Sequence, residues 1–301
     1  MIQIEEITLE KKELINKYFE ENNIVEFTFT NIFLWRNIEN IKYFIIDNNL
    51  CLIYKDENGN TIITFPIGNV GAGFHTCPIN EIINYFKEIK EEVRILAYNE
   101  KTVKFLEENF PDKFEIKEDR DHSDYIYKIE DLINLSGNKY HKKKNHINKF
   151  KTLYNYEYKK ITKIEIAECK ELFDKWYNAK KDLDSSVEEA KEAIYGLFAN
   201  YEDLDVAGGA IYVEGKIVAF SFGEKVNNKM VIIYYEYADT NYEGIFQMIN
   251  QQFLENEWRD FEFVNRESDL GIEGLRKAKL SYHPEHMLTK YIATKTKKHN
   301  V

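Results

Sequence analysis

The sequence predicts an α/β protein of two consecutive lobes, each a mixed sheet flanked by helices. Short alternating apolar runs separated by polar turns occur in both halves of the chain, as in a meander of hairpins. Amphipathic helical stretches follow each meander and lead into another strand, and a strand–helix–strand step in one sheet requires a parallel pair. At 301 residues the chain also reaches the size at which a single core tends to split in two.

In the first half, a helical opening is followed by strands expected at 42–47, 50–54 and 61–66. Asp47-Asn48-Asn49 and Glu57-Asn58-Gly59-Asn60 supply the turns between them. Pro78 opens a helix with Ile79, Ile82, Ile83 and Phe86 on one face, and a strand at 93–97 follows. The next helix buries Val103, Leu106 and Phe110 and stops at Pro111; strands at 114–117 and 124–129 close the lobe.

The second half repeats this order after two helices, one carrying Cys169, Leu172, Phe173 and Trp176, the other Ala190, Ala193, Ile194 and Leu197. Strands at 210–213, 217–222 and 230–237 form the meander around Glu214-Gly215 and Asn227-Asn228. A helix from Gly244 buries Ile245, Met248, Ile249 and Phe253; then come a strand at 261–265, a helix from Gly271 to about Ser281 and extended residues near 287–293. The repeat lies in the order of elements and not in matching residues. It is similar to the order in GNAT acyltransferase domains, so two tandem GNAT-like lobes are expected, 1–132 and 133–301.

Composition narrows the function. Hydrophobic residues make up 44% and charged residues 31%, as in a globular chain, with aromatics at 15% giving ring-rich cores. A net charge of -11 argues against a surface that coats nucleic acid throughout but leaves room for a local basic patch. Cys51, Cys77 and Cys169 have no CxxC spacing and are expected as reduced, buried small hydrophobes. With an acidic N-terminal stretch and no apolar run near the roughly 20 residues that span a bilayer, a cytoplasmic protein is expected.

The basic patch is a helix expected at about 138–153. Tyr140, Ile147, Phe150 and Tyr154 recur at helical spacing and can pack on a lobe. Lys139, Lys142, Lys143, His146 and Lys149 share another face, with Lys144 alongside. Like charges three or four apart repel, so this stripe does not serve the helix's own stability and is a candidate phosphate-binding surface. A solvated face balanced by acidic neighbours is the alternative. The aromatics occupy the opposite face, so RNA on the stripe would be held by its backbone and not by stacking.

The densest polar chemistry lies at 265–282, NRESDLGIEGLRKAKLSY, where a strand end turns into a helix. Ligands of open α/β sheets bind at such carboxyl ends. Asn265, Arg266, Asp269, Arg276 and Lys279 are the candidate substrate- or phosphate-binding residues, with Leu275, Ala278 and Tyr282 expected as the packing face. Glu236 lies in the apolar strand IIYYEY, where it is either a desolvated general base or the partner of a cation on a neighbouring strand. Acyl transfer to an amine needs a base, an oxyanion donor and an acid; Glu236, backbone amides at the splayed strand and Tyr282 can fill these roles.

The loop ADTNYEG before Gly244 has one glycine and two acidic residues, which argues against a coenzyme A pyrophosphate there. His283 and His286 do not form a metal motif, Gly71-Ala72-Gly73 reads as a turn, and Ser221 and Ser268 lack a nucleophile elbow.

The runs GNKYHKKKNHINKF (137–150), Gly208-Gly209-Ala210 with Ala219-Phe220-Ser221, and NRESDLGIEGLRKAKLSY (265–282) resemble the bacterial phosphatidylglycerol lysyltransferase C-terminal-domain family, itself similar to the Fem peptidyltransferases. The resemblance implies tandem GNAT-like lobes with a basic helix entering the second. It further implies transfer of an amino acid from aminoacyl-tRNA, with tRNA as partner and a small-molecule, peptide or lipid-headgroup acceptor. An acyl-CoA-dependent N-acyltransferase and a non-catalytic binding protein of the same fold remain alternatives. The lipid-modifying members carry a membrane-spanning region and this sequence has none, so the acceptor does not carry over.

Overall fold

A computed structural model describes residues 2–22, 24–68, 76–179 and 185–296. The chain runs β1 (Glu5–Glu6), α1 (Lys12–Glu21), α2 (Phe29–Trp35), β2 (Lys42–Ile46), β3 (Asn49–Lys55), β4 (Thr61–Thr64), β5 (Ile67–Gly68), α3 (Thr76–Ile89), β6 (Arg94–Ala97), α4 (Glu100–Asn109) and β7 (Phe114–Lys128). It continues through α5 (Ile129–Asn134), α6 (His141–Leu153), β8 (Tyr156–Ile161), α7 (Ile166–Ala179), α8 (Ser185–Ala199), β9 (Val206–Val213), β10 (Lys216–Lys225) and β11 (Met230–Ala238). Then follow α9 (Ile245–Glu257), β12 (Phe263–Asn265), α10 (Glu273–Leu280) and β13 (His286–Lys295).

Two compact units result, Met1–Ser123 with Leu288–Val301, and Asp124–Met287. The boundary expected at 132/133 differs from this division at residues 124–132 and 288–301. In the first unit, β2, β3 and β4 form the antiparallel meander, and Asp47 and Asn48, both at positive φ, make its first turn. The crossover helix α3 buries Ile79, Ile82 and Phe86, and β6 then pairs parallel to β4 with Ile63 opposite Ile95. β13 closes this unit antiparallel to β6.

The second unit has the same wiring. β8, β9, β10 and β11 are antiparallel; α9 crosses over and β12 joins parallel to β11. The end of β7 closes it antiparallel to β12, Tyr127 opposite Val264. α9 buries Ile245, Met248, Ile249, Phe253 and Leu254 against one sheet face; α7 buries Cys169, Leu172 and Phe173 on the other. Gly208 and Gly209 are small because side chains cross over them: a Cβ on Gly209 would lie 2.0 Å from the Tyr158 hydroxyl, and one on Gly208 2.6 Å from the Phe222 ring.

Several expectations need correction. The strands at 114–117 and 124–129 are one strand, β7, because its polar middle, Glu118 to His122, still extends. β8 was not foreseen, since YEYKKI is half charged and lies at an edge. Cys51 and Cys169 are buried thiols, whereas Cys77 is exposed in the first turn of α3. Gly71-Ala72-Gly73 lies outside the described residues. No helix among the described residues is long and apolar enough to cross a membrane, and none of their His, Cys, Asp and Glu side chains cluster as a metal site.

Candidate functional site

The site forms in the second unit, at the carboxyl ends of β11 and β12. An irregularity in the pairing delivers Glu236 to it. Phe222 faces Tyr235 but Gly223 faces Ile233, so Tyr234 is an extra residue in β11. This bulge reverses the alternation of the strand: Ile233, packed with Phe253, and Glu236, beside Asn250, both point toward α9. Tyr237 turns the other way, its ring 4.8 Å from those of Phe173 and Trp176. Gly223 permits the bulge, because a Cβ there would stand 2.3 Å from the Ile232 carbonyl oxygen.

Of the two states open to Glu236, the structure has the ion pair. Arg266 Nη2 donates to its Oε2 at 2.6 Å, with both side chains more than four-fifths buried. The Arg266 guanidinium carbon lies 5.0 Å from the Tyr282 ring centroid and 5.8 Å from that of Tyr127. Burial pushes the Tyr282 hydroxyl up to about 12, against the lowering influence of Arg266. Beside it Lys279 Nζ donates to the carbonyl oxygens of Arg266 and Glu267. Burial, reinforced by the Arg266 charge, pulls its pKa down to about 8. Ser221, opposite Glu236 on β10, is fully buried and its hydroxyl has no hydrogen-bond partner; nor has Arg266 Nη1.

The segment from Arg266 to Tyr282 is shaped by left-handed residues and by one carboxylate. Glu267, Leu270 and Gly271 have φ of 56°, 51° and 71°. Asp269, fully buried, accepts from Arg276 Nε at 2.9 Å and Nη2 at 2.7 Å, from the Tyr125 hydroxyl at 2.5 Å and from Gly271 N at 3.0 Å. The Arg276 hydrogen bonds, with those from Tyr125 and Gly271, hold this carboxyl well below the usual range. Asp269 and Arg276 therefore engage each other and fix the loop. Asn265 is likewise internal: it donates to Asp124 at 3.1 Å and accepts from Glu267 N at 2.7 Å. Of the packing face expected of Leu275, Ala278 and Tyr282, only Tyr282, just past the end of α10, is buried. No α10 residue is buried, Leu275 and Ala278 are exposed, and the helix is held through Arg276, Lys279 and the Tyr127 hydroxyl on the Lys279 carbonyl.

α6 runs past this site. Tyr140, Ile147 and Phe150 bury its apolar face, and the Tyr140 hydroxyl donates to the Tyr282 carbonyl at 3.0 Å. The basic residues divide into three groups. Lys139 pairs with Asp131 at 3.3 Å and Lys149 with Glu243 at 2.7 Å. Lys142, Lys144 and His146 are exposed. Lys143 is half-buried, its Nζ 4.0 Å from the Tyr282 ring centroid, and burial with the Arg266 charge lowers its pKa. The sequence signal for Lys143 was its place in the stripe; its inward turn depends on where Tyr282 lies.

The N-terminus of α9 does not fit a coenzyme A pyrophosphate. Gly244, at φ 84°, faces α6 and not open space, since a Cβ there would stand 2.3 Å from the His146 carbonyl oxygen. The Tyr154 hydroxyl accepts from Glu243 N at 3.3 Å, and the Glu243 carboxylate sits at the same turn. The α6 backbone beside Gly244 and the negative charge of Glu243 both disfavour a pyrophosphate at this helix start.

Comparison with known proteins gives the family and the fold. Residues 20–294 match the sequence profile of the family described as phosphatidylglycerol lysyltransferase, C-terminal. A conserved protein of unknown function from Bacteroides thetaiotaomicron is 35% identical, with 98% of this chain and 100% of that chain covered and a TM-score of 0.87. L-PGS from Bacillus licheniformis superposes at TM-score 0.66 with 16% identity, covering 96% of this chain and 92% of that one. A tandem GNAT protein from the clavulanic acid biosynthesis pathway shares the fold at TM-score 0.54 and 5% identity, covering 98% of each chain. An uncharacterized protein of Mycoplasmoides gallisepticum is 26% identical over 176 residues, 56% of this chain; the match spans about half of that relative, 55%. The fold is that of the tandem GNAT-like proteins, and the chain belongs to the phosphatidylglycerol lysyltransferase C-terminal family.

Proposed function

We propose that the second unit is an aminoacyl transferase that takes its aminoacyl group from aminoacyl-tRNA and passes it to an amine or hydroxyl acceptor. Family membership supports acyl transfer. The observation that supports the choice of donor is the α6 backbone against Gly244, which with the Glu243 carboxylate disfavours a coenzyme pyrophosphate, while exposed lysines lie on the same helix. Lys142, Lys143 and Lys144 hold the tRNA backbone, and Arg266 takes an anionic group of a substrate. The acceptor is a small molecule, a peptide or a lipid headgroup.

The chemistry follows from Lys279 and Tyr282. A neutral Lys279 amine keeps both N–H groups on the Arg266 and Glu267 carbonyls and leaves its lone pair free. The acceptor nitrogen or oxygen bonds to the ester carbonyl carbon, and its proton passes to Lys279. The bond from that carbon to the ribose oxygen breaks, and the released oxygen takes the Tyr282 proton. Proton return from Lys279 to Tyr282 resets the site. Glu236 holds Arg266 in place, and Asn265, Asp269 and Arg276 brace the loop.

Binding to a charged tRNA pool over about 0.05–0.3 M salt tests the donor. Each lost phosphate contact flattens the log–log slope by about one unit, so Lys142→Ala/Lys143→Ala/Lys144→Ala should flatten it by up to about three. No binding at low salt would sink the reading. A binding protein that kept the fold without the chemistry is the second reading, favoured by the closure of Glu236 in its ion pair. It expects tRNA or acceptor binding with no transfer.

A further inference from the structure

We infer that Lys143 and Arg266 form a site for one phosphate group, the phosphodiester that joins the terminal, aminoacylated nucleoside to the rest of the tRNA. This rests on the donor assigned above and adds where its last phosphate sits. Lys139 and Lys149 of the same stripe are neutralised by carboxylates at 3.3 and 2.7 Å. Lys143, although half-buried, has no carboxylate within 4.0 Å among the described residues; its Nζ stands 4.0 Å from the Tyr282 ring centroid. A lysine taken partly out of water without a counter-charge awaits an anion.

Arg266 lies by the same ring, and its charge acts on Lys143. Its guanidinium carbon lies 5.0 Å from the centroid of the same Tyr282 ring, and Nη2 is used by Glu236. Nη1 is buried with no acceptor. Between the two cations there is one paired carboxylate, Glu236 on Arg266, and an anion with several acceptor oxygens would satisfy both the ammonium and the orphaned N–H. A phosphodiester fits this better than an isolated carboxylate, because exposed Lys142 and Lys144 flank Lys143 on α6 and extend the positive surface along which a phosphate chain would continue. The depressed pKa of Lys143 agrees with an ammonium that lacks a counter-ion.

Calorimetric titration of the full chain with adenosine and with adenosine 5′-(methyl phosphate) isolates that phosphate and is independent of the amino acid carried. The phosphate should strengthen binding about 10- to 100-fold in the wild type. Lys143→Met, which keeps an apolar stem on Tyr282, should abolish most of that gain, and Lys143→Arg should retain it. Equal binding of the two probes, or the same gain in Lys143→Met, overturns the site. A glycerophosphodiester without adenosine that binds with the same dependence on Lys143 also overturns it, by giving the phosphate to the acceptor. Intact tRNA binding without phosphate discrimination leaves the donor reading standing and this inference fallen; loss of tRNA binding as well ends both.

Discussion

The two units share one wiring and differ at the same corner of it. In the first, β4 and β6 end in groups satisfied at home: Thr64 Oγ1 accepts from Leu52 N at 2.9 Å, and Asn99 caps α4 through Thr102 N at 3.1 Å. In the second, β11 carries a bulge and a carboxylate, and β12 runs into a helix whose N-cap, Ile272, offers no side chain to the first turn. Arg266 Nη1 and Ser221 Oγ are left there without partners. In the first corner Asn99 also donates to the Glu26 carboxylate at 3.0 Å, so its polar groups find partners within the unit, whereas a corner with unpartnered buried polar groups is the better candidate for a ligand.

Lys279→Met puts the largest strain on this comparison. Removing the proposed proton acceptor should lower transfer about 10²- to 10⁴-fold in single-turnover assays. Wild-type transfer should rise as pH increases through about 8, where Lys279 loses its proton, and the variant should lack that rise. Because its folded pKa lies below the unfolded value of about 10.4, Lys279 costs stability below about 8 and relieves that cost as pH climbs through the window between.

Asp269→Asn comes next. It strips the buried partner from Arg276 and Tyr125 and should cost about 2–4 kcal/mol, read as a lower denaturation midpoint. Amide exchange should quicken across 266–282 and stay unchanged in β2 and β3. The Asp269 carboxyl is held below its unfolded value, so its contribution is complete above about pH 4 and fades as pH falls through the folded value.

Gly244→Ala should cost about 1–3 kcal/mol, since φ there is 84° and the new Cβ meets the His146 carbonyl. A wild-type denaturation midpoint for this variant would mean that α6 can lift off α9, and the argument against coenzyme A would weaken with it. The smallest effect is expected in the first unit. His122, which pairs with Asp119 at 2.8 Å, can become Ala with transfer within about twofold of wild type. A loss there comparable to Lys279→Met would erase the functional difference between the units.

Much of the fold could be read from the residues. Turn pairs such as Asp47-Asn48 and Glu214-Gly215 punctuate the meanders, and the stripe Ile245, Met248, Ile249, Phe253 marks a helix by period alone. The candidate site was legible as a location, the 265–282 segment with Glu236, but its internal assignments were not. Arg276 and Lys279 lie three apart on one helix, yet Arg276 binds Asp269 while Lys279 reaches two backbone carbonyls. Spacing describes both in the same way.

What the sequence determined alone is local: helix and strand periods, turn chemistry, the basic stripe of α6 and the absence of glycines before Gly244. These depend on neighbours within a few residues, where backbone geometry leaves few choices. Tertiary structure decided that β13 closes the first unit and β7 the second, and that one extra residue in β11 turns Glu236 toward Arg266. It also decided which of several similar lysines loses its water beside Tyr282. Strand pairing and desolvation depend on residues from tens to more than a hundred positions away, and no local pattern encodes which of them will meet.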